Sequence, residues 1–299
     1  MLAPAKLSNK FKIWNAKQKA PFGPRWIPLA QSLRAKSKSI LRPSPGNPVT
    51  TTGVNGMGSQ NRASHWKWSL SPLSMRLLGP FAFQMNSATR MFEYPWIFYT
   101  VSPKKGMRII DLGAGASGLQ FVMAKSGADV NSVDPLINPD DAVDWVFTEV
   151  EYEKLNRAFG NRVVFVKELL EDAGFEASSV DCVVACSVIE HIPEEHVHRL
   201  MEEVSRVLKP GGRFVATIDL FLDCCPFSTN QRNKWGSNIN VKSLIEASNL
   251  RVVVGTKEEL YGYEEFDHSK ILASRDNYLV IDNVMTQCIV LQKDETAGA

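Results

Sequence analysis

The pattern of hydrophobic and polar residues changes near residue 107 of the 299-residue chain. Beyond this point, short runs rich in β-branched residues alternate with amphipathic stretches. Such runs predict strands, and strands separated by helices predict a parallel sheet with helices on both faces. The predicted strands are Arg108–Asp111, Asp129–Val133, Val163–Val166, Cys182–Ala185, Phe214–Ile218, Arg251–Val254 and Cys288–Leu291.

The clearest predicted helix covers Glu194–Leu208, where apolar residues recur every three or four positions. The sequence Lys209-Pro210-Gly211-Gly212 that follows is typical of a helix end, because it joins a cation, a helix breaker and glycines. Asn240 is suited to cap a second helix. A shorter helix is predicted at Leu119–Ser126.

Residues 75–103 are dense in large apolar and aromatic side chains. We predict one or two helices that pack over the main domain and are broken at Pro80 and Pro95. The aromatic residues favour core packing, although a lid over a substrate is the alternative. The residues concerned are Tyr94, Trp96, Phe98 and Tyr99.

Charge divides the chain as sharply as the hydrophobic pattern does. Residues 1–92 hold 14 Lys and Arg and no acidic residue, whereas the remainder holds 20 basic and 32 acidic residues. Residues 1–74 are predicted to be a basic, disordered segment. Three interpretations stay open: an organellar presequence, an arm on nucleic acid or an anionic membrane, or translation upstream of a start at Met57 or Met75.

The remaining chain is predicted to form a helical cap, residues 75–106, and an α/β domain, residues 107–299. A hydrophobic content of 44% and a charged content of 22% are ordinary for a soluble globular protein, and no apolar run is long enough for a membrane span. The five cysteines form no CxxC pair, so we expect reduced thiols in the cytoplasm. A strained disulfide between Cys224 and Cys225 is the alternative.

A glycine-rich turn carries the main chemical signal. Asp111-Leu112-Gly113-Ala114-Gly115-Ala116-Ser117-Gly118 joins a predicted strand to a helix, and the next strand ends in Asp134. Glycines permit a tight turn and close approach, Gly118 is expected to let the helix pack on the strand, and an acid at this distance suits a ribose. Asp111 suits a cationic, phosphate-free ligand such as S-adenosylmethionine better than a pyrophosphate. A turn-capping role for Asp111 is the alternative.

Residues 107–218 resemble the class I S-adenosylmethionine-dependent methyltransferases, particularly those that act on small molecules. The resemblance rests on the glycine-rich turn, on Asp134, on Val180–Ile192 around the fourth strand and on Val207–Phe214 before the fifth. It implies a doubly wound, seven-stranded, mostly parallel sheet in the order 3-2-1-4-5-7-6, with strand seven antiparallel.

The resemblance also implies a site for S-adenosyl-L-methionine. The glycine turn would line the methionine moiety, Asp134 would hold the ribose, and Cys186 and Ser187 would flank the methionine end. Glu168-Leu169 stands where the family usually carries Gly-Asp, so the contact to the adenine is left open. The implied cofactor-binding residues are Asp111, Gly113, Ala114, Gly115, Gly118, Asp134, Glu168, Leu169, Cys186 and Ser187.

No catalytic residue is indicated, since a general base is required only when the acceptor arrives protonated. His191 is a candidate near the end of the fourth strand, although a structural role is favoured. His196 and His198 do not converge on one helix face, which argues against a metal site. His268 is a weaker candidate for a substrate contact.

The predicted function is methyl transfer to an O or N nucleophile of a small molecule. A nucleic-acid methyltransferase using the basic arm is one alternative, but Cys186–Ile189 replaces the Pro-Pro-aromatic run of enzymes that methylate base amines. A nicotinamide-dependent oxidoreductase and a noncatalytic S-adenosylmethionine-binding module are the others. The acceptor and the oligomeric state do not follow from the sequence.

Overall fold

The computed structural model describes residues 69–84, 89–136, 148–160, 162–278 and 280–295. Most of the basic segment predicted over residues 1–74 therefore lies outside the described residues. The helices are α1 (Pro72–Leu78), α2 (Arg90–Val101), α3 (Leu119–Lys125), α4 (Glu149–Phe159), α5 (Glu194–Val207), α6 (Val241–Ser248) and α7 (His268–Ala273). The strands are β1 (Arg108–Leu112), β2 (Asp129–Val133), β3 (Val163–Val166), β4 (Val180–Cys186), β5 (Leu208–Phe221), β6 (Arg251–Val254) and β7 (Val284–Gln292).

The seven strands form one sheet in the order β3-β2-β1-β4-β5-β7-β6. Strands β1 to β5 pair in parallel, and β7 runs antiparallel to both β5 and β6. The predicted doubly wound fold and its strand order are confirmed. In such a sheet the carboxyl ends of β1, β4 and β5 meet at one edge, which is where ligands bind in open α/β folds.

Two hydrophobic cores lie on the two faces of this sheet. Alternate residues of the central strands face opposite sides, so Val184 belongs to one core and Val183 to the other. The first core receives α2, α3 and α4, and the second receives α5 and α6. Because both faces are covered, β1 and β4 are nearly continuous apolar runs.

The segment before β1 is part of the first core. Tyr94, Trp96 and Tyr99 are buried there together with sheet residues, which agrees with core packing rather than a lid. The predicted helix break at Pro95 is wrong, because this residue lies inside α2. Proline removes one helical hydrogen bond, and the burial of the aromatic residues around Pro95 offsets that loss. The predicted break at Pro80 is confirmed, since a short 3-10 helix begins there.

Two further boundaries differ from the sequence predictions. Helix α1 begins at Pro72, so the predicted boundary after residue 74 falls inside it, and the division of the chain into three segments stays a prediction. Helix α5 ends at Val207 as expected, but β5 starts at once at Leu208, without the predicted intervening turn. Leu208 pairs with Val180, and a register shift follows in the ladder.

Other local predictions are confirmed. The Asn240 side chain caps α6 by accepting a hydrogen bond from the backbone N–H of Ser243 at 3.0 Å. Among the described residues, the structure contains no helix with the length and apolar character that crossing a membrane requires.

Candidate functional site

The glycine turn after β1 depends on backbone conformations that favour glycine. Gly113, Gly115 and Gly118 have φ angles of +54°, +50° and +87°. A Cβ atom on Gly113 would lie 2.5 Å from Val188 Cγ1, and one on Gly115 would lie 2.7 Å from Gln84 Oε1. The turn is therefore tightly enclosed: glycine is favoured by conformation at all three positions and also by space at Gly113, whereas the Gln84 side chain could move away from a Cβ at Gly115.

Gly118 is also in close contact, but with a different element from the predicted one. Its Cβ would lie 2.7 Å from the backbone of Pro80 and 2.9 Å from the ring of Phe81. The prediction of close helix–strand packing at this glycine is wrong about the partner, because the turn after α1 passes over the start of α3. The N-terminal helices thus border the glycine turn directly.

Asp111 lies in β1 just before the turn and is 1% exposed. Its Oδ2 atom is buried and has no hydrogen-bond partner among the described residues. Burial, followed by the nearby charge of Asp134, raises the pKa of Asp111 to about 8. No described turn N–H donates to this carboxylate, so the turn-capping interpretation is not supported.

Asp134 follows β2 and is fixed beside the turn. Its Oδ2 accepts a hydrogen bond from the Gly115 N–H at 2.9 Å, and its Oδ1 accepts one from the Leu136 N–H at 2.9 Å. Burial raises the pKa of Asp134, while these two hydrogen bonds lower it. The structure therefore brings together the glycine turn and the two predicted acids.

The loop after β3 begins beside Asp134, whose backbone N–H donates to the carbonyl of Val166, the last residue of β3, at 3.0 Å. Glu168 and Leu169 are both exposed, whereas Leu170 is buried. A cofactor contact by Glu168 or Leu169 stays a prediction.

The end of β4 carries the other predicted cofactor residues. Ser187 has a φ of +46°, and its N–H donates to the Thr217 carbonyl at 2.9 Å. The Cys186 sulfur accepts a hydrogen bond from Thr217 Oγ1 at 3.6 Å, and burial raises the pKa of this thiol. Both residues lie at the carboxyl edge of the sheet, next to β1 and β5.

A buried acidic cluster at this edge was missed by the sequence analysis. Glu93 is fully buried and pairs with Arg90, while Ser187 Oγ–H donates to Glu93 Oε1 at 2.5 Å. The backbone N–H of Asp219 donates to Glu190 Oε1 at 3.2 Å. Glu93 lies on α2, Glu190 lies in the segment after β4, and Asp219 lies on β5. The one signal in the sequence was that Glu93 is the first acidic residue of the chain.

Burial shifts the titration of this cluster. It raises the pKa of Asp219 to about 7, with the neighbouring Glu93 charge as the second cause. It raises the pKa of Glu190 well above its ordinary value, and the Asp219 charge acts in the same direction. The edge of the sheet therefore holds two carboxyl groups, those of Asp219 and Asp111, that change protonation near neutral pH.

The four histidines that the structure describes are exposed. His191 ends a short 3-10 helix, His196 and His198 lie on α5, and His268 opens α7 with its ring 6.2 Å from that of Phe227. Within the part of the chain that the structure describes, no group of three His, Cys, Asp or Glu residues is arranged to hold a metal ion.

All five cysteines are free thiols, including the neighbouring Cys224 and Cys225. The alternative of a vicinal disulfide is therefore not what the structure contains. Cys224 is buried and Cys225 is partly exposed.

The strand order and the acidic glycine turn define an α/β protein with a candidate ligand site at the carboxyl edge of its sheet. Comparison with known families gives the narrower class: residues 110–216 match the model described as a methyltransferase domain. Residues 110–216 thus match a methyltransferase domain, and they lie within a sheet whose strand order is the one that the resemblance to class I methyltransferases implies.

Curated relatives support the same class. The chain is 28% identical over 171 residues to the human mitochondrial ubiquinone biosynthesis O-methyltransferase, covering 51% of this chain and 44% of that protein. It is 33% identical over 131 residues to demethylmenaquinone methyltransferase of Clavibacter sepedonicus, covering 43% of this chain and 44% of the relative. The chain thus spans less than half the length of these two proteins.

Among solved structures, the chain is similar to the 1,6-didemethyltoxoflavin-N1-methyltransferase of Burkholderia thailandensis with bound S-adenosylhomocysteine. The two are 15% identical with a TM-score of 0.46, over 70% of this chain and 80% of that one.

Proposed function

We propose that this protein transfers a methyl group from S-adenosyl-L-methionine to an O or N nucleophile of a small molecule. The observation that carries the proposal is the unpartnered, buried Asp111 carboxyl at the mouth of a turn built from left-handed glycines. The family match over residues 110–216 supports the cofactor.

The chemistry of the donor set fits this cofactor. S-adenosyl-L-methionine carries an ammonium and a sulfonium and no phosphate, and the turn presents the carboxyl groups of Asp111 and Asp134. An ammonium is the natural partner for a buried carboxylate that lacks one. A pyrophosphate would instead meet two acidic side chains, which counts against a nicotinamide cofactor.

Each residue has a proposed role in holding the cofactor. Gly113, Ala114 and Gly115 would line the methionine moiety, and Asp134 would accept hydrogen bonds from the ribose hydroxyls. Asp111 would face the ammonium group.

The other predicted contacts lie on three elements. Glu168 or Leu169 would lie near the adenine, Cys186 and Ser187 would flank the methionine end, and Gly118 would set the packing of α3 against the N-terminal turn. When bound, the cofactor supplies an electrophilic methyl group on a sulfonium leaving group. The protein then mainly aligns the acceptor and excludes water.

The comparisons leave the acceptor atom open. The relatives are named as an O-methyltransferase and a demethylmenaquinone methyltransferase, and a similar structure as an N1-methyltransferase. All three names refer to small molecules, which supports a small-molecule acceptor over a nucleic acid. The name of the human relative includes "mitochondrial". This keeps the organellar presequence among the three interpretations of residues 1–74, and the cytoplasm stays the predicted location if there is no presequence.

The test is calorimetric titration of the full chain with S-adenosylmethionine, S-adenosylhomocysteine and NADH. We expect micromolar binding of the two adenosyl ligands and its loss in Asp134→Ala. Asp129→Ala is the matched control, because Asp129 is exposed at the opposite end of β2. Binding of NADH alone would contradict the proposal. Adenosyl binding without methylation of any acceptor would favour the noncatalytic module.

A further inference from the structure

The three carboxyl groups of the acidic cluster differ in what their oxygens contact. Both carboxylate oxygens of Glu93 have a partner: Oε1 accepts a hydrogen bond from Ser187 and Oε2 pairs with Arg90. Glu190 Oε1 accepts from the Asp219 N–H, and its Oε2 is enclosed with no partner among the described residues. Glu93 and Glu190 are both 1% exposed or less, so neither can meet an incoming molecule directly.

Asp219 differs from both. Its Oδ1 accepts a hydrogen bond from Thr286 Oγ1 at 3.3 Å and is the alternative acceptor for Ser187 Oγ, also at 3.3 Å. Both contacts go to Oδ1, which leaves Oδ2 without a hydrogen bond from any described residue. Asp219 as a residue is partly exposed, unlike Glu93 and Glu190. Asp219 is thus held in place through one oxygen and is free to react through the other.

The position of Asp219 matches the place where an acceptor must lie. The pairing of Cys186 with Thr217 puts Asp219 just beyond the end of β4, and Asp219 contacts Ser187, which is proposed to flank the methionine end of the cofactor. Independently of this cluster, the unpartnered buried carboxyl of Asp111 lies at the same edge and indicates that a ligand completes it. We propose that Asp219 is the general base that takes the proton of a phenolic hydroxyl acceptor. This inference rests on the proposed function.

The proton balance of the step is simple. The O–H bond of the acceptor breaks and its proton passes to Asp219 Oδ2, while the oxygen lone pair forms the new bond to the methyl carbon. The carbon–sulfur bond of the cofactor breaks, and its electron pair remains on sulfur. Asp219 then returns the proton to water when the product leaves.

The charged surroundings of Asp219 suit this role. Arg90 and Glu93 face it from α2, Glu190 from the segment after β4, and Thr286 from β7. Burial, followed by the charge of Glu93, raises the pKa of Asp219 to about 7, and the Arg90 charge offsets only part of this rise. A base of this strength is efficient near neutral pH. A phenol, with a pKa near that of tyrosine at about 10, is a better match than the far less acidic aliphatic alcohols.

The test compares Asp219→Asn with wild type, using catechol and the more acidic 4-nitrocatechol as acceptors and measuring S-adenosylhomocysteine formation. The asparagine keeps the Oδ1 acceptor and replaces the reactive oxygen. We expect kcat with catechol to fall by about 10²- to 10⁴-fold, a smaller fall with 4-nitrocatechol, and S-adenosylmethionine affinity within about threefold of wild type. Wild-type kcat/KM is expected to rise with pH through about 7, and the variant should lack this ionisation.

The matched control is Asp223→Asn, the same change on an exposed loop beyond β5. Equal rates for the two variants would overturn the proposal, as would loss of cofactor binding in Asp219→Asn alone. A wild-type protein that binds S-adenosylmethionine but methylates neither catechol would overturn the phenolic acceptor. If the wild type does not bind the cofactor, the proposed function itself fails, and thermal unfolding of both variants shows whether they are folded.

Discussion

The two halves of the candidate site are built in different ways. The cofactor half, around β1 and β2, is built on a glycine turn. The Gly115 N–H of this turn donates to the side chain of Asp134, only 19 residues further along the chain. The half around β4 and β5 consists of side chains, and its contact from Ser187 to Glu93 spans 94 residues. The first half is a local motif, whereas the second exists only after the chain has folded.

This difference predicts that the second half depends more on tertiary packing. Glu93→Gln leaves Arg90 buried without its ionic partner. We expect a loss of about 3 to 5 kcal/mol in the free energy of unfolding, because a buried charge then lacks compensation. The control is Glu153→Gln, which breaks the exposed pair between Glu153 and Arg157 and should cost about 0.5 kcal/mol or less. Chemical denaturation measures both. Similar losses would mean that the buried pair has no special role.

The same contrast explains what could be predicted from the sequence. The glycine turn and the cap at Asn240 follow from patterns within short stretches, the strand order follows from the family resemblance that such stretches carry, and the structure has all three. The acidic cluster could not be predicted, because Glu93 lies in a segment read as apolar packing and Asp219 follows the last residue of a predicted strand. Their meeting depends on α2 crossing the ends of β4 and β5. No local pattern encodes that geometry.

Packing also explains two of the corrected predictions. Pro95 favours a helix end by its own chemistry, yet α2 continues through it because the surrounding aromatic residues are buried against the sheet. Gly118 was assigned to helix–strand packing, but the N-terminal turn at Pro80 occupies that space. In both cases, a distant part of the chain overrides the local preference.

A second prediction tests whether the glycine turn of the cofactor half requires glycine because of limited space or because of its backbone conformation. Gly113→Ala adds a methyl group that would lie 2.5 Å from Val188 Cγ1, on a residue with φ of +54°. Gly106→Ala meets no atom within 4 Å, although its φ is also positive, at +74°. We expect about 1 to 2 kcal/mol of destabilisation for Gly106→Ala from the left-handed conformation alone, and a larger loss for Gly113→Ala.

Cofactor titration separates the two effects at this pair of glycines. Gly113→Ala should abolish S-adenosylmethionine binding, whereas Gly106→Ala should retain it, because Gly106 precedes β1 and lies outside the turn. If both variants bind normally and lose equal stability, close approach at Gly113 is not a requirement of the site.

The smallest expected effect concerns Asp111. Replacing this residue with asparagine should raise the stability of the protein and weaken its binding of the cofactor. The folded-state pKa of about 8 lies above the ordinary value of 3.8, so the folded protein binds more protons than the unfolded chain between these values. Wild-type stability is therefore expected to fall as pH rises through this range.

Asp111→Asn does not titrate and should be more stable than wild type at pH 8 by about 1 kcal/mol or more, with the advantage shrinking toward pH 5. The same variant should bind S-adenosylmethionine more weakly, since it lacks the carboxylate for the ammonium group. Asp129→Asn, on the exposed start of β2, should show neither change. Thermal unfolding across this pH range and calorimetry measure the two effects. A variant that gains stability and keeps its affinity would mean that Asp111 is buried for some reason other than the cofactor.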